Sequence, residues 1–329
     1  MQRKPSPRES WSGYDQTSVH AMKTPCAHLL PVLLACGLAR AIAQAAEAPP
    51  TPPRPPEIVT DCDTPDSYGR LCFPGGRVKA ITFSFDDGRV YDRQLVEMMN
   101  RHGLRGTFHL VSGQLDKEGY VKSKEVKALY AKHEVASHTV NHPNLTKCSD
   151  EELRHQVVDD CQALEALVGY LIRGLAYPGG EGDERVAKAL AGFGIRYARL
   201  VGTHDWFAYP KRPYFWVTTC HINKMNEDGK KLMRFAATPA LMAIWGHSYE
   251  FNDNHSWNII EEFGKNYGNR PDIWYATNIE VMDYYDAAKR LIVSLDGNTV
   301  ENPGKMSVWA TLRGKTCELK PGQVAAIAN

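Results

Sequence analysis

Ala80-Ile81-Thr82-Phe83-Ser84-Phe85-Asp86-Asp87-Gly88 is the stretch whose reading decides the fold. Its β-branched and aromatic run predicts a buried strand, and the run ends abruptly in two adjacent carboxylates and a glycine. Acids at the tip of such a strand sit at the mouth of a site. Neighbouring carboxylates disfavour joint ionisation unless a cation lies between them or the side chains diverge to separate partners. The pair therefore points first to a bound metal. Asp-Gly alone also fits a solvated turn, so the choice rests on what else the chain supplies.

It supplies His138-Thr139-Val140-Asn141-His142. Histidines at i and i+4 share one face of a helical turn, and both imidazoles can then reach one ion. Glu134-Val135-Ala136-Ser137 just before them reads as another short strand. One carboxylate with two imidazoles leaves ligand positions open for water and substrate, as metal catalysis requires and a closed structural site does not.

Taken together, Ser84-Phe85-Asp86-Asp87-Gly88 and His138-Thr139-Val140-Asn141-His142 resemble the polysaccharide deacetylase family, the chitooligosaccharide deacetylase homology domain of carbohydrate esterase family four. The resemblance implies an α/β fold, a distorted, incomplete (β/α) barrel. It also implies a divalent metal, usually zinc, and hydrolysis of N-acetyl or O-acetyl groups on sugars. Position by position, Asp86 matches the general base, Asp87 the metal-binding carboxylate, and His138 and His142 the metal-binding histidines. Ala176-Tyr177-Pro178-Gly179-Gly180 matches a third element, making Tyr177, Pro178 and Gly179 substrate-side residues. Leu241-Met242-Ala243-Ile244-Trp245-Gly246-His247 matches the last, with His247 as general acid and Trp245 beside it. Thr203-His204-Asp205-Trp206-Phe207 resembles the Asp-Trp element, in which Asp205 would raise the pKa of His247 and Trp206 would line the site. The chain departs from the pattern at Ala176, where many members carry an arginine set against the base. Either another cation substitutes, with Arg173 and Arg199 the candidates, or Asp86 runs with a different pKa.

From Lys79 onward strands and helices alternate. Strands are predicted near 80–85, 106–111, 134–138, 174–177, 195–201, 241–246, 272–276 and 290–295. Helices fall near 92–103, 123–133, 149–170, 183–192, 228–236, 255–267 and 278–288. Such alternation specifies a parallel sheet with helices outside, and seven or eight units suggest a barrel. In a barrel, functional groups belong at the C-terminal ends of the strands. Asp86, Asp87, His138, His142, Pro178 and His247 all follow predicted strands, which supports the site independently of the resemblance. Trp274 and Tyr275 also lie near strand ends, while His109, His204, His221 and His255 are expected to be structural or surface residues.

The remaining organisation is simpler. Residues 1–45 are expected to be an extension and export signal starting at Met22: Lys23, an apolar run from Leu29 to Leu38, then Ala43-Gln44-Ala45. Export to the periplasm or outside the cell follows, with lipid anchoring at Cys36 the lesser alternative. Residues 46–57 hold six prolines and read as a stiff linker. The barrel is assigned to 58–295 and a small C-terminal β appendage to 296–329, where Val308–Leu312 alternates like a strand and Arg313-Gly314-Lys315 reads as a hairpin turn. Cys62 and Cys72 are the one expected disulfide. Cys148 and Cys161 are not expected to pair, because a helix opened by Ser149 would hold their Cα atoms about 20 Å apart against a disulfide reach of about 7 Å. Cys161 then falls on the helix's apolar face as a buried thiol.

A net charge of +1 gives no case for nucleic acid or an anionic membrane, and no stable protein partner is implied. The expected partner is an acetylated polysaccharide or oligosaccharide. Two readings from other classes remain at this point. One is a catalytically silent sugar-binding barrel. The other is an iron oxygenase, which also uses two histidines and a carboxylate but gives the Asp86 base no role.

Overall fold

The computed structural model describes residues 58–59, 69–204, 206–235 and 239–327. The stretches expected to be an export signal and a stiff linker, together with Cys62 and Asp205, lie outside the described residues.

The Lys79–Asp87 strand is the axis of a nine-stranded sheet whose pairings are all parallel. On one side it pairs with Ala240–His247, in register from Lys79 opposite Ala240 to Asp86 opposite His247. On the other it pairs with Ile273–Ala276 over its first half and Gly106–Leu110 over its second. Glu134–Ser137, Gly174–Ala176, Tyr197–Thr203 and Trp216–Thr218 continue the sheet in that order, and Cys220–His221 lies beyond Ala240–His247. Covered on both faces, the central strands are buried along nearly their whole length, polar positions such as Thr82, Ser84 and Thr107 included. Phe83, Phe85 and Phe108 stack between them and the outer helices. The sheet curls like a barrel without closing: Trp216–Thr218 stands at one edge and Cys220–His221 at the other, with Thr219 alone between them in sequence.

Several predicted elements change form. The expected eighth strand shrinks to Ile292–Val293 and leaves the barrel, pairing antiparallel with Thr299–Glu301. Ser294-Leu295-Asp296-Gly297-Asn298 makes the tight turn between them: the Asp296 carboxylate accepts from Ser294 Oγ (2.6 Å) and from Asn298 N (3.0 Å). A local hairpin costs less chain entropy than another crossover. The expected helix at 123–133 is a 3₁₀ turn over Ser123–Glu125 and a single α turn, Val126–Leu129. That at 255–267 forms as Trp257–Tyr267, and an unexpected short helix, Ser248–Asp253, precedes it, with exposed His255 in the left-handed region (φ 51°) between the two. The helix near 149–170 does open at Ser149, whose hydroxyl accepts from Glu152 N (3.2 Å), and buries Cys161 as a free thiol pushed up to about 12 by burial. Cys72 is also a free, buried thiol.

The C-terminal hairpin forms, Val308–Leu312 against Lys315–Leu319. Its sheet also takes in Gly69–Cys72, paired with Val308–Leu312 from the other end of the described chain. Tyr284 ties this sheet to the barrel: its hydroxyl donates to Cys72 O (2.6 Å) and accepts from Trp309 N (2.8 Å).

Candidate active site

The strand tip behaves as the paired acids require. Asp86 ends the regular strand and stays buried, whereas Asp87 adopts φ 79° and Gly88 φ 68°. Consecutive side chains of a strand point to opposite faces. The left-handed turn at Asp87 breaks that alternation and lets both carboxylates serve one mouth. Non-glycine residues with positive φ are uncommon, and they cluster at sites where the surrounding structure holds them in place.

His138 and His142 reach Asp87 from a loop, not from the helical turn that their spacing predicts. Thr139 (φ 69°) and His142 (φ 61°) are both left-handed, and this fold of the loop brings the rings together with centroids 4.6 Å apart. Asp87 Oδ1 lies 3.6 Å from His138 Nε2 and 3.8 Å from His142 Nε2. One donor atom from each of the three residues lies within 4.8 Å of the others, the one such cluster found among the described residues. His138 Nδ1 is 2.8 Å from Ala176 O, so it carries the proton and leaves Nε2 as a free lone pair. Burial depresses the His138 pKa to about 3, keeping the imidazole neutral as a ligand must be. Burial and the neighbouring Asp86 push Asp87 up, a penalty that a cation would relieve. The donor set therefore fits a divalent metal.

Asp86 has different company. Both of its carboxylate oxygens take a hydrogen bond from Arg199 Nη2, and Arg199 is itself fully buried. Of the two arginines that could replace the one missing at Ala176, Arg173 instead forms a bidentate pair with Asp283 (2.9 and 2.7 Å). Ala176 and Arg199 are register partners on adjacent strands, so the cation reaches the base from one strand over. Burial pushes the Asp86 carboxyl up, but Arg199, aided by His138 and His109, outweighs it and holds the group well below the usual carboxylate range. His109 faces Asp86 from the next strand, with Nδ1 3.4 Å from Oδ1. Its place on a strand in register with Asp86 was the available signal.

His247 stands opposite, its Nε2 3.9 Å from Asp86 Oδ2. The carboxylate that orients it is Glu250, whose Oε1 lies 2.6 Å from His247 Nδ1 and also accepts from His247 N (3.1 Å). Sequence reasoning gave that place to Asp205, which is outside the described residues; the i+3 spacing at a helix start was the missed signal. The Glu250 carboxylate also holds His221 Nε2 at 3.0 Å. Burial lowers the His247 pKa, yet Glu250, Asp86 and Asp87 together raise it above its ordinary value. Glu250, bonded to both imidazoles, falls to about 2. The site thus keeps a charged carboxylate and a proton-rich imidazole side by side, the division of labour that acid–base chemistry needs.

Trp245 is half-buried between His221 and His247, with the Arg199 guanidinium 5.2 Å from its ring centroid. Tyr177 is buried, its hydroxyl donating to Tyr214 O (3.0 Å). Pro178 has no N–H, while Tyr177 N and Gly180 N donate to Arg199 O and Tyr177 O. Gly179, with open space on its Cβ side, is left as the N–H donor of that turn. Trp206 is 70% exposed and lines a cavity of about 380 Å³ with Phe207, Arg212, Phe215 and Phe235; none of the acids or histidines of the mouth lines it. Trp274 packs on Phe73 and Tyr284 as core, and Tyr275 donates its hydroxyl to Tyr267 O.

The polysaccharide deacetylase family matches residues 75–198. This stretch is a polysaccharide deacetylase domain. It holds Asp86, Asp87, both loop histidines and the Tyr177–Gly179 turn, and stops one residue short of Arg199. A peptidoglycan-N-acetylglucosamine deacetylase of Listeria monocytogenes is 30% identical over 131 residues, 39% of this chain and 27% of the relative. A chitooligosaccharide deacetylase of Sinorhizobium fredii is 25% identical over 139 residues, 40% and 62% respectively. The chain therefore spans less than two thirds of either relative. The fold of the deacetylase domain and its flanks is shared with a solved Mycobacterium smegmatis protein assigned to the polysaccharide deacetylases, at TM-score 0.53 and 16% identity, over 67% of this chain and 94% of that one.

Proposed function

We propose that the protein is a metal-dependent carbohydrate deacetylase that hydrolyses acetyl groups, N-acetyl in the first place, on a polysaccharide or oligosaccharide met outside the cytoplasm. The observation that carries this reading is the meeting, at one barrel mouth, of an arginine-held carboxylate, an imidazole with raised pKa and a three-donor cluster.

Asp87, His138 and His142 would hold the ion, with zinc the expected metal for a nitrogen-rich set. A divalent cation there supplies Lewis acidity toward the acetyl carbonyl and toward water. Asp86, its carboxyl held well below the usual range by Arg199, takes the proton of the attacking water. His247, its pKa raised by Glu250 and the two aspartates, gives its Nε2 proton to the departing amine or alkoxide. The Gly179 N–H is a donor free to steady the carbonyl oxygen as negative charge builds on it. Trp245 and the Tyr177–Gly179 turn flank the sugar.

The test is acetate release from acetylated chitin oligomers, peptidoglycan glycan and acetylated xylan, with chelator-treated enzyme as control. Chelator-sensitive release from at least one of them is expected. Metal binding without release from any would favour the silent sugar-binding barrel.

A further inference from the structure

We infer that Gln156, presented by a π-helical turn in the helix beside the site, is a positioning residue that clamps the His138–His142 loop into its metal-binding shape. This rests on the metal-centred reading above.

The loop is backbone-strained at two of its five residues, Thr139 and His142, and such conformations persist only where the surroundings over-determine them. All five N–H groups of the loop have partners. His138 N donates to Leu110 O (2.9 Å), Thr139 N to Ser137 Oγ (3.2 Å) and His142 N to Thr139 Oγ1 (2.9 Å). The two central groups both go to Gln156: Val140 N to its main-chain oxygen (3.1 Å) and Asn141 N to its Oε1 (2.9 Å). Gln156 is 4% exposed, so water offers Asn141 no easy substitute.

The helix departs from α geometry at this place. Between the α segments Asp150–Arg154 and Asp160–Val168, residues His155–Asp159 form a π turn. A π turn takes in an extra residue and re-aims the main-chain carbonyls around it, and such turns are often found at functional sites. Here the Gln156 carbonyl is turned out to the loop. The same helix grips the loop's base: Asp160 accepts from Ser137 Oγ (2.6 Å) and from Ser112 N (2.9 Å). On the far side Gly113 donates to Val140 O (3.0 Å), and a Cβ at Gly113 would lie 2.4 Å from that oxygen. Val140–Asn141 is thus held between a glycine and a glutamine, which fixes where the two flanking imidazoles point.

The decisive measurement is the zinc dissociation constant of the metal-stripped full chain, by competition with a chromophoric chelator, alongside the thermal midpoint of the apo-protein. Gln156→Leu keeps the bulk but removes the acceptor, and should weaken zinc binding about 10-fold or more, the range seen for outer-shell partners of metal ligands. Gln156→Glu keeps an acceptor oxygen and should stay close to wild type. Should Gln156→Leu not fold, Gln156→Asn withdraws the acceptor by one methylene and carries the same test. Unchanged zinc affinity in the acceptor-less variant overturns the inference, as does equal weakening in Gln156→Glu. His138→Ala reports on the underlying reading: if wild type and this variant bind zinc alike, the metal site itself is wrong and the clamp falls with it.

Discussion

The mouth and the waist of the barrel each bury a carboxylate, and they hold it in opposite ways. Asp86 is 3% exposed and Glu134, at the start of its own strand, 6%, so burial does not separate them. Their partners do. Asp86 faces a guanidinium and keeps its charge. Glu134 accepts only from neutral donors, Thr107 Oγ1 (2.8 Å), Tyr197 OH (3.0 Å) and Ile279 N (2.9 Å), and burial pushes its pKa up to about 7 despite them. Burial raises both carboxyls; the guanidinium at hydrogen-bond range more than offsets this at Asp86, whereas the three neutral donors offset it only in part at Glu134.

The contrast can be broken in five places. Asp86→Asn should lower kcat by about 10²–10⁴ while zinc still binds; turnover near wild type, at an unchanged melting point, would remove Asp86 from the chemistry. Arg199→Leu strands the Asp86 charge in the interior and should cost about 3–5 kcal/mol in denaturant melts; a much smaller loss would mean that Asp86 has another way to stay charged. Glu134 gives the opposite pH signature. Its folded pKa is raised from 4.5 to about 7, so the native state holds the extra proton between those values. Its contribution is complete below pH 4.5 and fades by roughly 3 kcal/mol as pH climbs through 7. Chemical melts of Glu134→Gln at the two pH values should lack that decline. Glu250→Gln removes the nearest of the charges that raise the His247 pKa, so the alkaline limb of the rate profile, where the acid loses its proton, should move to lower pH. Arg173→Ala, which breaks a half-exposed pair with Asp283, should change stability by under about 1 kcal/mol and leave the rate profile alone.

Local pattern carried much of this architecture. The run from Ala80 to Phe85 could only be a buried strand, and strict alternation after it placed the site residues at one end of a parallel sheet. What local pattern could not carry was convergence. The i, i+4 spacing of His138 and His142 fits a helix equally well, and the left-handed turns that exclude one come from Gln156, Ser137 and Gly113, which are distant in sequence or chemically unremarkable. His109 and His221 became visible only when strands from far apart lay side by side, whereas Glu250 was within reach of local pattern, three residues after His247 at a helix start. Trp216–Thr218 and Cys220–His221 are too short to show a period, and an Asp-Gly turn released the expected eighth strand into a hairpin. Arg199 and Arg173 were indistinguishable until the sheet showed which one faced inward.

The register of Ala176 beside Arg199 bears on how distant homologues are judged. Read column by column, a chain with alanine at this position has lost its guanidinium and would be sorted with the inert members. In space a guanidinium still reaches Asp86, because Arg199 stands on the strand beside Ala176. Verdicts of inactivity drawn from one missing letter should first ask what the adjoining strand carries.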